Sequence, residues 1–231
     1  MQAVRQWLQQ LRFESIFELI VIVASSLLCI TVHELCHGLA AYALGDDTAK
    51  RQNRLTLDPL RHIDPLGLIM MAVAGFGWAK PVVVDPRRFR APKLGMALTA
   101  LAGPVSNILL MLVAAVIRIP ILLMSLKSTA SLWGYLLMFT ERTLVLSAGL
   151  AVFNLFPIPP LDGSKVLFAV LPDRAYGALM RYERFGMIIL AALLFSNVLD
   201  VPLMFMRDLL IDLSNVVSMP LASLLSRYFV L

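Results

Sequence analysis

The chain has 231 residues, 59% of them hydrophobic and 15% charged, with a formal net charge of +5. Soluble domains carry about 25% charged residues. With a mean hydropathy of +0.81, the composition excludes an ordinary soluble enzyme and predicts a single membrane-embedded domain over residues 1–231. The positive balance does not imply nucleic acid, because membrane proteins collect Lys and Arg in cytoplasmic loops. The two cysteines, Cys29 and Cys36, fall on one predicted helix and cannot easily bridge each other, so no disulfide framework is implied.

Residues 1–15 mix polar and apolar side chains, with Arg5, Arg12 and Glu14. A basic start before an apolar run resembles a signal peptide. The run continues straight into a polar motif, however, which reads as a retained helix. Ile16 to Leu44 predicts the first span, about 43 Å of helix and long enough to cross with tilt. Gly45-Asp46-Asp47 ends it. Inside it lies Thr31-Val32-His33-Glu34-Leu35-Cys36-His37-Gly38, a His-Glu-x-x-His motif.

Residues 46–65 form a polar loop with Lys50, Arg51, Arg54 and Arg61. Leu66–Ala79 is apolar, short for a span and interrupted by Gly67, Gly75 and Gly77, so a re-entrant segment or hairpin is expected. Such a segment could offer a strand edge to an unwound peptide. A second basic loop follows, with Lys80, Arg87, Arg88, Arg90 and Lys93. If 66–79 does not cross, both loops share one side, which the positive-inside rule makes cytoplasmic.

Leu94–Ile117 is the second predicted span and carries Ala102-Gly103-Pro104-Val105-Ser106-Asn107. Residues 118–131 connect it to a third span, Leu132–Phe156, which contains Glu141-Arg142. Next comes Asn154-Leu155-Phe156-Pro157-Ile158-Pro159-Pro160-Leu161-Asp162-Gly163. Proline lacks an N–H and crowds the preceding turn, so the backbone must unwind around Pro157–Pro160. At membrane depth that is tolerated only inside protein or beside a wet cavity. Residues 164–184 read as amphipathic and basic, Phe185–Phe205 as a fourth span, and Leu209–Leu231 as a last span or an interfacial helix. The expected fold is an all-α polytopic membrane protein. It would be a bundle of about four to six transmembrane helices with a re-entrant or hairpin segment near 66–79 and an unwound proline-rich break near 157–163.

Residues i and i+4 share a helix face, so His33 and His37 can point two imidazoles at one ion while Glu34 reaches a water on it. Two histidines and a glutamate in a membrane helix are expensive unless they have partners or a function. A catalytic zinc takes three protein ligands and keeps one position open. Asp162, beyond the proline break, is the strongest candidate for the third. Its alternative role is an N-cap for the following helix. Zinc brings the pKa of a bound water near 7, and Glu34 would take that water's proton and deliver it to the leaving amine. Asn107 and Asn154 could stabilise the oxyanion or hold a substrate strand; the alternative for each is an interhelical hydrogen bond. Cys36 reads as a small buried filler rather than a fourth ligand. His62, beside Arg61, reads as surface, although a metal would be within its chemistry.

The order and spacing of the three motifs resemble the site-2 protease family of intramembrane zinc metalloproteases, peptidase M50. The likeness extends through Leu55-Thr56-Leu57-Asp58-Pro59, His62-Ile63-Asp64-Pro65-Leu66-Gly67 and Gly75-Phe76-Gly77-Trp78-Ala79-Lys80-Pro81-Val82. The resemblance implies one Zn2+ per chain held by His33, His37 and Asp162, with Glu34 as catalytic base. It implies a multi-pass protein of the cell membrane whose site lies in the bilayer toward the cytoplasmic face. It links Asn154 to substrate or transition-state contacts, and implies membrane-embedded protein substrates within the lipid bilayer. Neither a PDZ nor a CBS domain is expected, and the motif helix is the first span, as in the short bacterial members. Two other functions use the same residues. A divalent-metal transporter also carries intramembrane His, Glu and Asp, but no inverted repeat is present. A catalytically silent scaffold would bind a metal without needing Glu34.

Overall fold

The apolar runs resolve into helices in the computed structural model, which describes residues 16–64, 80–127, 130–172 and 185–229. The segment expected to re-enter, 66–79, lies outside them, as does most of the basic stretch beyond 172. Helix α1 spans Ile16–Ala43, α2 Pro92–Lys127, α3 Ser131–Leu155, α4 Asp162–Val170, α5 Gly186–Phe195 and α6 Asp200–Phe229. Of these, α1, α2, α3 and residues 200–225 of α6 are long and apolar enough to cross a bilayer. The protein is an all-α polytopic membrane protein.

On α1, Ile16, Phe17, Ile20 and Val23 face outward, whereas Ser25, Cys29, Thr31, His33 and His37 are buried. Inward-facing small and polar residues are what helix association in lipid requires, because hydrocarbon gives apolar side chains no reason to leave it. The helix stops at Gly45, whose φ is +107°. The Gly45 N–H donates to the Tyr42 carbonyl at 3.1 Å and the Asp46 N–H to the Ala41 carbonyl at 2.9 Å, the paired bonds that close a helix on a left-handed residue. That stop leaves Asp46 fully buried. Its carboxylate accepts from the Thr48 N–H at 3.0 Å and the Asp85 N–H at 2.7 Å, while Arg88 reaches both Asp46 and Asp47. The Lys80 N–H donates to the His62 carbonyl at 2.9 Å. The two basic loops therefore lie together at one end of the bundle.

The long helix α2 packs against α1, α3, α4 and α6. Ala97, Ala100, Gly103, Ala114 and Ala115 are buried along it, and their small size allows close backbone approach. Met111, Ala114 and Ala115 meet Leu144 and Ala148 of α3, with Leu210 and Ile211 of α6 against them. The sequence predicts that the second span stops at Ile117, yet α2 runs on to Lys127. Arg118 does not break it, because its guanidinium donates to Asn215 Oδ1 on α6 at 2.9 Å.

The predicted fourth span, 185–205, is not one helix. Helix α5 ends at Phe195, and a turn through Ser196–Leu199 leads into α6. Asn197 takes φ +57°, a conformation Asn tolerates, and Pro202 sits in the first turn of α6, where no helical N–H is lost. Leu161, Leu190 and Leu199 form a second core with Phe153, Phe156, Ile158 and Leu203 packed on it. This cluster seats the proline-rich segment. Leu155 ends α3 because Phe156, before Pro157, adopts an extended backbone (φ −64°, ψ 135°).

Candidate metal centre

The helical spacing of the motif does what it predicts. His33 and His37 are 6% and 8% exposed, and their rings stand edge to face with centroids 4.5 Å apart. Chain reversal at the proline-rich segment starts α4 at Asp162, 8% exposed, directly opposite them. Asp162 Oδ2 lies 3.1 Å from His33 Nε2 and 3.0 Å from His37 Nε2. The two Nε2 atoms are 3.0 Å apart. The alternative role of Asp162 as a helix cap does not describe it: it is the first helical residue, and the cap position is Leu161.

These three donors form a triangle of the right size for one ion. A tetrahedral zinc with bonds of about 2.0–2.1 Å sets neighbouring donors roughly 3.3 Å apart. Among the described residues, His33, His37 and Asp162 are the one group of metal-ligating side chains so arranged. The tautomer agrees for His37. Its Nδ1 lies 2.7 Å from the Thr99 carbonyl, which can only accept, so the ring carries its proton there and turns an Nε2 lone pair into the triangle. The donor set, two imidazoles and one carboxylate, suits zinc. Lys165 Nζ stands 3.5 Å from the other Asp162 oxygen.

Two glycines bring the backbones close enough. A Cβ on Gly103 would lie 2.5 Å from His37 Cε1 and Nε2 and 2.6 Å from His33 Cε1, so α2 presents bare backbone to both rings. A Cβ on Gly163 would meet the Leu155 carbonyl oxygen at 2.2 Å, so α4 can fold back against the end of α3.

Glu34 is half-buried, and its Oε2 accepts from the Val82 N–H at 3.0 Å. The segment following residue 79 thus lies over the motif helix. Asn107 is fully buried, with Nδ2 3.1 Å from His33 Nδ1. Asn154 is half-buried near the end of α3, where its Nδ2 donates to the Leu150 carbonyl at 3.1 Å. Cys36 is half-buried and stands apart from the triangle. His62 is not a surface residue. It is 1% exposed and hydrogen-bonded through Nε2 to the Thr56 carbonyl of its own loop at 3.0 Å. Sequence reasoning misses the roles of Thr99 and Gly103. The available signal is the row Thr99, Gly103, Asn107, which repeats every four residues and so occupies one face of α2.

The model of peptidase family M50 matches residues 113–197, a stretch that holds Asn154 and Asp162. The chain is 37% identical over 204 residues to a Bacillus subtilis protein named "Putative zinc metalloprotease YwhC", covering 87% of this chain and 93% of that one. It is 31% identical over 199 residues to "Putative zinc metalloprotease Rip2" of Mycobacterium tuberculosis H37Rv, covering 83% and 72%. The Rip2 of Mycolicibacterium smegmatis is 27% identical over 190 residues. No solved structure matches.

Proposed function

Because the chain belongs to peptidase family M50 and is a membrane-embedded zinc metalloprotease, we propose that it is an endopeptidase that hydrolyses peptide bonds in or near transmembrane segments of other membrane proteins. The observation that carries this reading is the buried triangle of His33 Nε2, His37 Nε2 and Asp162 Oδ2, with Glu34 next to His33 in the chain. His33, His37 and Asp162 hold one zinc. Bound there, zinc polarises a carbonyl and acidifies a water. Glu34 takes the proton of the attacking water on its carboxylate and returns it to the leaving amine. The Val82 N–H on Oε2 fixes the Glu34 side chain and leaves Oε1 for that transfer. Asn154, at the break between α3 and the proline-rich segment, contacts the unwound substrate.

The active site lies toward the cytoplasmic side. The end of the bundle at which α1 stops and α2 starts carries Lys50, Arg51, Arg54, Arg61, Lys80, Arg87, Arg88, Arg90 and Lys93 out of 20 basic residues in the chain, and basic loops stay in the cytoplasm. From His37 to Gly45 is about 12 Å of helix, so the triangle sits within the bilayer rather than at its surface.

The test is a substrate trap. Membranes carrying Glu34→Gln should keep zinc and accumulate uncleaved membrane-protein fragments that wild-type membranes lack. A Glu34→Gln protein that cleaves as wild type would overturn the base assignment. Identical fragment patterns in both membranes would overturn the substrate class.

A further inference from the structure

Each imidazole that turns one nitrogen to a metal must dispose of the proton on the other. For His37 the Thr99 carbonyl does this. His33 has a different neighbour. Its Nε2 faces Asp162 and His37, and its Nδ1 lies 3.1 Å from the amide of Asn107, 74 positions along the chain on α2. Asn107 is 0% exposed, so its amide has left water altogether. Among the described residues, the other end of that amide, Oδ1, has no hydrogen-bond partner. A buried amide end without a partner costs about 1–3 kcal/mol. Among the described residues, the bond to His33 is the one hydrogen bond that offsets the burial of this side chain.

The two ends of an amide have the same shape, and the hydrogen-bond pattern decides which is oxygen. If His33 gives its Nε2 lone pair to a metal, Nδ1 carries the ring proton and the group facing it must accept. We propose that Asn107 is a positioning residue for the metal centre: its amide oxygen accepts from the His33 Nδ1–H, fixing the ring's tautomer and orientation as the Thr99 carbonyl does for His37. This rests on reading His33, His37 and Asp162 as zinc ligands. It gives Asn107 a different task from donating to an oxyanion or gripping a substrate. The amide acts behind the ligand, and cleavage depends on it only through the metal.

Three variants separate this from a packing role. Asn107→Asp keeps the shape and an acceptor oxygen, Asn107→Leu keeps approximate size without one, and Asn107→Ala removes bulk. Zinc affinity of purified protein in detergent, measured by chelator competition, should fall about 10–100-fold in the Leu and Ala variants, the usual loss when a ligand's partner is removed. The Asp variant should hold zinc within a few-fold of wild type or tighter. Melting temperature after zinc removal serves as the fold control. The chain has three histidines, so nitrogen NMR of labelled, zinc-loaded wild type should resolve each ring and show the His33 Nδ1 protonated. Zinc affinity in Asn107→Leu equal to wild type, or an unprotonated His33 Nδ1 in the loaded wild type, would overturn the proposal. Equal losses in the Asp and Leu variants with unchanged melting would also overturn it. A wild type that takes up no zinc would instead sink the ligand assignment on which it rests.

Discussion

Replacing Gly103 with alanine tests whether the metal centre needs bare backbone on its α2 side. The added Cβ would sit 2.5 Å from His37 Cε1 and Nε2 and 2.6 Å from His33 Cε1, where carbon contacts normally settle at about 3.5–4.0 Å. Roughly 1 Å of movement must therefore come from the rings or from α2. The rings cannot retreat freely, because Thr99 holds His37 at 2.7 Å and Asn107 holds His33 at 3.1 Å. Overpacking of this kind costs about 1–3 kcal/mol. Expressed as metal affinity, at ~1.4 kcal/mol per tenfold, that is a ~5- to 150-fold weaker zinc site. The control is Gly149→Ala on α3, where a Cβ meets nothing within 4 Å among the described residues. Relief of glycine's backbone entropy should there leave stability unchanged or raise it by about 0.5–1 kcal/mol. Chelator competition for zinc and cleavage of a membrane-reconstituted substrate are the assays. A Gly103→Ala protein with wild-type zinc affinity would refute the close-approach argument. Loss of zinc in Gly149→Ala as well would mean that helix perturbation in general, not the site, sets the affinity.

Further predictions follow from the same geometry. Asp162→Ala should abolish stoichiometric zinc by elemental analysis, whereas Glu34→Gln should retain it; a strong chelator should stop cleavage by the wild type, and added zinc should restore it. Gly163→Ala drives a Cβ into the Leu155 carbonyl and should lower the melting temperature in detergent as an overpacking defect of about 1–3 kcal/mol. At the loop end, burial pushes the Asp46 carboxyl up, but the Thr48 hydroxyl, the Asp85 and Thr48 N–H groups and the Arg88 guanidinium outweigh it and hold the carboxyl below its usual range. A carboxyl depressed on folding stabilises above its ordinary pKa of about 3.9, and that stabilisation is lost as pH falls through the lower folded value. Stability should therefore decline below about pH 4, and Asp46→Asn should be less stable at pH 7 with a shallower decline, read from melting temperature against pH.

Much of the molecule is legible in the sequence where the relevant physics is local. The first and third spans are set by apolar runs ended by Gly45 and Pro157, and the structure ends α1 at Ala43 and α3 at Leu155. Hydropathy averages a four-residue turn into its apolar flanks, so Ser196-Asn197-Val198-Leu199 passes unnoticed and 185–205 reads as one span. The break at Ser196–Leu199 rests on the backbone of Asn197. His33 and His37 are legible because i and i+4 always share a face. Asp162 is 129 positions from His33, and only the proline break marks its segment as irregular. Thr99 is legible only as a position on the α2 face shared with Gly103 and Asn107, because the group it uses is a backbone carbonyl that every residue possesses.

The division of labour among the helices explains why one helix matters more than the ligand count suggests. On the proposed ligand assignment, α1 supplies both nitrogen donors and α4 the oxygen donor, but α2 supplies none. Its contribution is one row: the Thr99 carbonyl behind His37, bare backbone at Gly103 against both rings, and the Asn107 amide behind His33. Residues four apart stay in line along a helix, so a slide or rotation of α2 shifts all three together. What resists such a shift lies farther along α2, where Met111, Ala114 and Ala115 interlock with Leu144 and Ala148. Close packing transmits strain because it leaves few voids to absorb it. The geometry of the proposed metal centre thus depends partly on Ala114 and Ala115, about two turns beyond Asn107, whose side chains have no chemistry of their own.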